Sequence, residues 1–342
     1  MAIATLGKKS RIGILKQSAW ASPQAANANF ITMNYDVGSI PDPQPAIENI
    51  NQTSQSGIYM ETARVNTDYV AGLKSINFSG LIHQKLFAPH LVSAMQAVTE
   101  GATTPYDKAF VMQLAAPLDF AADAGYLHTV AFDIGASADD GVILENAITD
   151  ILNIDFDFNA KGISRFGKMS GTWVGNEMNF EQTLNGSWVA IPTSAYYANT
   201  DVFSASTFTI NGVDYSAQCI RSFGITINNK VSVPCQTAGK ASQYRLSPEV
   251  TFRIGLESYN LTTEKILQSY QRGDAVVLTF KNGVTADTDG ELGFVIASGH
   301  LTSNPYNYDG DYVGLTLEAM ATKTTGSPLL QVNLTDTVDW GY

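Results

Sequence analysis

The chain has 342 residues, of which 44% are hydrophobic and 15% charged, and a formal net charge of −12 at pH 7. That length and apolar content can bury one large or two ordinary domains. The acidic balance excludes a protein that wraps nucleic acid by neutralising its phosphates, and no run of about 18 apolar residues is present to form a membrane-spanning helix.

Aromatic and β-branched residues, with Gly, Asn, Asp, Ser and Thr at the turns, predict an all-β chain with minor helix. Residues 1–35 read as an arm with two short strands, at 13–17 and 29–35. Its opening apolar run is short and soon charged, unlike a secretory signal. Residues 36–57, DVGSIPDPQPAIENINQTSQSG, show no periodicity and are expected to form a long loop. Strands are then predicted at 57–65, 74–80, 109–114, 127–135, 150–158 and 168–175. A second set is predicted at 207–210, 219–227, 249–257, 275–280, 293–302 and 312–321.

Two helices interrupt the strands. In 87–99, Phe87, Leu91, Ala94, Met95 and Val98 share one face. In 262–273, Thr262 is placed as an N-cap and Gly273 as the stop. Each helix follows a strand and a short loop, in 75–98 and again in 251–270. The stretches 150–162 and 221–231 also match in their alternation of Phe and Ile before an Asn-containing turn. This repeat predicts two related sandwich-like units, 58–185 and 202–325, joined through 186–201. An N-terminal arm and loop (1–57) and a C-terminal arm (326–342) flank them.

Catalytic motifs are absent. His83, His90, His128 and His300 fit no metal-ligand spacing, and there is no GxSxG elbow. These histidines read as packing or surface residues, and the chain is not expected to be an enzyme. Cys219 and Cys235 are too few for a disulfide framework. If Asn228-Asn229 turns a hairpin, Cys235 faces Ser222, so free thiols are expected. The acidic turns DTDGE (287–291) and NYDGDY (307–312) lack the EF-hand pattern, and no phosphate loop is present. No metal or cofactor is therefore assigned. A porin-like barrel would fit the alternation, but the helices and the charges on faces that lipid would cover oppose it.

The cleanest alternation is ILNIDFDF (151–158). A strand places Ile154, Phe156 and Phe158 on one face and Asp155 and Asp157 on the other. The apolar face needs a core; the carboxylate face needs water.

Several stretches together resemble the tail tube proteins of long-tailed bacteriophages. They are RIGILKQSAWASP (11–23), INFSGLIHQKLFAPHLVSAMQAV (76–98), ILNIDFDFNAKGISRFGKMSGTWVGN (151–176), SFGITINNKV (222–231) and EVTFRIGLE (249–257). The similarity spans roughly 11–322. Ala21 departs from it, since the family often has glycine after the aromatic.

The resemblance implies tandem tail-tube-type β-sandwich domains, each flanked by an α-helix, whose sheets join between subunits into a β-barrel ring. Rings stack into a hollow tube through which phage DNA passes without specific binding. Two domains per chain imply trimeric, pseudo-sixfold rings, with other tail proteins at the tube ends. Assembly would occur in the host cytoplasm and the product would reside in the virion. A terminator, distal tail or hub protein of the same fold is an alternative, as is a host-adhesion or decoration module. On this reading Asp155 and Asp157 line an acidic lumen, with Asp133, Glu257, Glu291 and Glu318 as further lining residues. Contacts between rings would come from the long loop, with Asp36, Pro41, Pro43, Pro45 and Ile47. The C-terminal arm, with Leu329, Leu330 and Trp340, would supply the rest as an exposed apolar docking strip.

Overall fold

The computed structural model describes residues 11–20, 22–36, 47–53, 60–66, 73–114, 118–120, 126–133, 141–190, 195–198, 207–210, 212–214, 219–232, 236–237, 240–241, 243–257, 268–303, 306–309 and 312–342. The chain is mostly antiparallel β, and its main strands connect into a closed, barrel-like network. Among the described residues no helix is long and apolar enough to cross a membrane.

The spine is the strand Gly141–Asp157. Its first part pairs with His128–Asp133 and with Glu177–Gln182. Its last part pairs with Lys168–Gly175 on one side and with the strand Cys219–Asn228 on the other. Between these parts the register shifts at Leu144/Ala147, where Asn146 takes a left-handed φ of 52°. An amide cluster holds that bulge: the Asn146 N–H donates to Gln17 Oε1 at 2.8 Å, and Gln17 Nε2 donates to Asn146 Oδ1 at 2.9 Å. A bulge bends its strand, and here it lets one strand serve two sheets. Sequence reading starts this strand at 150. The missed stretch from Gly141 is buried almost without interruption, so it carries no period-two signal.

From the spine, the ladder runs one way through Lys168–Gly175 to Lys74–Leu81. The other way it runs through Cys219–Asn228 to Glu249–Glu257 and Tyr312–Ala321. Leu292–Leu301 pairs with Ala275–Lys281 and touches the end of Tyr312–Ala321. One hydrophobic core contains residues from both halves, among them Phe78, Trp173, Ile154, Phe156, Ile225, Phe252, Phe280 and Phe294. Each fully buried side chain of this kind contributes on the order of 1.5–3 kcal/mol.

The helix Ala88–Met95 is buried on all sides, which its apolar sequence permits. Its last carbonyls, which have no partner within the helix, are met from both halves of the chain, the Gln113 N–H donating to Met95 O at 2.8 Å. Asn229 Nδ2 donates to Ala94 O at 2.9 Å, and the buried Arg245 reaches Met95 O at 3.5 Å. Desolvation lowers the Arg245 pKa to about 10. Asn229 is thus a buried cap rather than the turn of a hairpin: Val231–Ser232 pairs with Tyr244–Arg245, not with Cys219–Asn228. Cys235 lies outside the described residues. The second predicted helix is seen over 268–272, and 262–267 lies outside the described residues. Gly273 stops it with a φ of 70°, with Gly273 N–H donating to Tyr270 O and Asp274 N–H to Ser269 O.

Two expectations need correction. The C-terminal arm is not an exposed strip. Gln331–Asp336 is a strand inserted between Tyr106–Val111 and Leu292–Val295, and Leu329, Leu330, Val332, Leu334 and Trp340 are buried. The alternation of VNLTD serves the chain's own core. The stretch 36–57 is not structureless either: Ile47–Thr53 pairs along its whole length with Met60–Asn66 as an antiparallel hairpin. Its polar amide residues mask the strand pattern, because period-two reading needs an apolar face.

Candidate functional site

One broad sheet face collects polar side chains from both halves. Across it runs a row in direct register: Leu81, Lys168, Asp155, Gly224, Arg253, Glu318. The next row is Ser79, Ser170, Asn153, Thr226, Thr251, Met320, and beyond it lie Asn77, Thr172, Ile151, Asn228 and Glu249. Alternation sends the intervening residues, among them Phe78, Met169, Trp173, Leu152, Ile154, Ile225 and Phe252, into the core. The centre of the face is concave, lined by Asn153, Asp155, Ser170, Gly224, Thr226, Arg253, Thr302 and Glu318 among others.

The rows are tied by short polar contacts. Thr172 Oγ1 donates to Asn77 Oδ1 at 2.8 Å, and Thr226 Oγ1 donates to Asn153 Oδ1 at 2.8 Å. Arg253 Nη2 donates to Asp155 Oδ1 at 2.6 Å. This ion pair joins two strands that are not neighbours, because Cys219–Asn228 lies between them. Gly224 makes the crossing possible: a Cβ there would sit 2.7 Å from Asp155 Oδ1 and 2.9 Å from Arg253 Nε. The side chains of Arg253 and Asp155 are 58% and 45% exposed, so the pair is worth only about 0.2–1 kcal/mol. At the margin, Lys230 Nζ meets Glu249 Oε2 at 2.7 Å.

Asp155 and Asp157 therefore share the face opposite Ile154 and Phe156, with Asp157 exposed and its Oδ1 accepting the Asn159 N–H at 3.0 Å. The face is not a bare carboxylate surface, since Lys168 and Arg253 alternate with Asp155 and Glu318. Glu318 lies on it, opposite Arg253. Glu257 ends its strand in register with Cys219 and Gly314. Asp133 does not lie in these rows; it sits at the end of His128–Asp133, bonded to Arg11 at 2.9 Å.

Glu291 is also elsewhere. It is buried, and its Oε2 accepts from the Asp287 N–H at 2.8 Å and Thr335 Oγ1 at 2.9 Å. Asp107, Asp287 and Glu291 cluster there, and burial together with the two neighbouring carboxylates raises the Asp107 pKa. The turn chemistry that marked Glu291 as exposed instead folds its carboxylate inward as a cap.

Of the proposed contact residues, Asp36 is paired to the edge of Lys74–Leu81, its N–H donating to Ser79 O at 2.7 Å. Ile47 opens the hairpin opposite Asn66. Pro41, Pro43 and Pro45 lie outside the described residues. Leu329, Leu330 and Trp340 are core residues, as above.

Sequence reading missed Lys168, Gly224 and Arg253. The alternation of EVTFRIGLE already placed Thr251 and Arg253 opposite Val250, Phe252 and Ile254, but only the register shows that Arg253 reaches Asp155. No protein-family model matches the chain, and no curated protein matches it.

Proposed function

We propose that the chain is a structural virion protein that assembles into stacked rings forming a hollow phage tail tube, with the polar sheet face turned to the bore. One observation carries this reading. Strands from both halves build a single continuous face made mostly of polar and charged residues, backed by core side chains. Such a face suits a wetted channel wall. The two halves act as tandem sandwich units, and three chains would set six units around the bore. Ring closure pairs the sheet edges, which would otherwise template aggregation. The hairpin Ile47–Thr53/Met60–Asn66 is the element best placed in sequence to reach a neighbouring ring.

Passing DNA would meet hydroxyls, amides and charges of both signs, with Arg253 engaged by Asp155 and Lys230 by Glu249. The wall thus offers its phosphates little to hold. Asp155→Asn with Glu318→Gln removes the partner of Arg253 and the carboxylates in register with Lys168 and Arg253. Assemblies of this variant are expected to retain a short DNA duplex at low salt that wild-type assemblies release. Retention should fall steeply as salt rises, and it is read by co-sedimentation.

Negative-stain electron microscopy of the purified protein tests the reading. Rings or tubes with a central bore are expected. Single particles at every concentration would overturn it, and rings that never stack would favour a terminator or distal tail component.

A further inference from the structure

The two halves of the chain are joined by a strand ladder, and the strands on either side of that joint follow a repeated pairing scheme. In the first half, Lys74–Leu81 precedes a helix and pairs with Lys168–Gly175, which pairs with the spine strand. The spine's earlier part pairs with His128–Asp133. In the second half, Glu249–Glu257 precedes a helix and pairs with Tyr312–Ala321. That strand pairs with the end of Leu292–Leu301 and with Tyr306–Asp309, while Leu292–Leu301 pairs with Ala275–Lys281. The pairing scheme is the same.

The outer edge of the spine in the first half is filled by the second half, over seven registered pairs from Ile151↔Asn228 to Asp157↔Ser222. The corresponding edge of the second half is Tyr306–Asp309. Among the described residues its ladder runs only to Tyr312–Leu315. The strand that fills the first slot, Cys219–Asn228, lies N-terminal to its own unit's Glu249–Glu257 and pairs with it. Its counterpart is the strand through Ile31–Asp36. Both read Ile-Thr-x-Asn, at 31–34 and at 225–228, and Tyr35 bridges Gly80 of Lys74–Leu81.

We infer that the outer edge of Tyr306–Asp309 on one copy pairs with the strand entering through Asn34–Asp36 on the next, repeating between chains the joint seen within one. This rests on the tube reading and names its lateral contact. The joint is head-to-tail, so it builds a ring if the rotation closes and a filament if it does not.

With Asp309↔Tyr312 as a hydrogen-bonded pair of this antiparallel ladder, Tyr308 and Tyr306 fall in the alternate pairs, whose backbone groups face outward. Tyr308→Pro removes an outward donor and spares the hairpin ladder. Wild-type chain should assemble; the variant should keep its folded circular dichroism and sediment as single chains. In wild-type assemblies, hydrogen exchange at the Tyr306 and Tyr308 amides should slow at least tenfold relative to dissociated chain. Assembly by a folded Tyr308→Pro variant, or equal exchange in both states, overturns the joint while leaving the tube reading in place. A wild-type chain that never assembles overturns that reading and the joint with it.

Discussion

Asp336→Ala is expected to cost about 3–5 kcal/mol of folding stability, read as a lower urea midpoint. Lys108 and Asp336 are both fully buried, with Nζ 2.8 Å from Oδ1. Lys108 Nζ also donates to Val338 O at 3.0 Å and lies 3.3 Å from Glu100 Oε1. Removing Asp336 takes the nearer carboxylate from a buried ammonium and leaves it Glu100 and the Val338 carbonyl, and breaking a buried pair from one side is costly. The pair locks the strand Gln331–Asp336 against Tyr106–Val111. On its other side this strand pairs with Leu292–Val295, so loosening it opens both halves. Replacing the whole charged group, as Lys108→Met with Asp336→Leu and Glu100→Gln, should recover much of the loss. A triple replacement as damaging as the sum of the single ones would show that packing, not charge, dominates.

Acid should unfold the protein through two histidines. His90 and His128 are fully buried and both lie against Trp173, at ring distances of 5.3 Å and 5.7 Å. His90 Nε2 meets Tyr35 Oη at 3.3 Å, and His128 Nε2 meets Tyr342 Oη at 3.5 Å. Desolvation, aided for His90 by His128 and for His128 by Lys16, lowers each pKa from 6.5 to about 3. The unfolded chain therefore binds more protons than the folded one between those values. Stability is complete above about pH 6.5 and falls as the pH drops, by about 1.4 kcal/mol per pH unit for each histidine. At pH 4.5 the two together remove about 5 kcal/mol, comparable to the whole stability of many domains. Urea midpoints at pH 7, 5.5 and 4.5 should fall steeply in wild type. His90→Leu with His128→Leu should start less stable and lose less over the same interval.

Several strands with one buried and one wet face were legible over their whole span, although the strand expected at 109–114 lies at Tyr106–Val111. KMSGTWVG, EVTFRIGLE and YVGLTLEAMA are strands over the predicted spans. Their alternation records a local fact, which side is dry. Where both sides are dry, as at the start of the spine, or where the sequence has no period-two apolar stripe, as in IENINQT of Ile47–Thr53, that record is missing. The opposition of Asp155 to Ile154 and Phe156 was readable for the same reason. Its pairing with Arg253 was not, because that contact depends on the register of three strands and on the absent side chain of Gly224. The C-terminal segment was misassigned because apolar residues near a terminus look alike whether they serve the chain's own interior or a neighbour.

The Lys108–Asp336 contact closes a loop of 228 positions. Contacts so remote in sequence are assembled slowly, since the chain must first surrender the freedom of everything between. Until that last segment arrives, two strand borders stand bare, one from each half. A polypeptide cut short before residue 331 would keep both borders open and be prone to aggregate through them. Docking of Gln331–Asp336 therefore covers a border of each half in one step and couples the two.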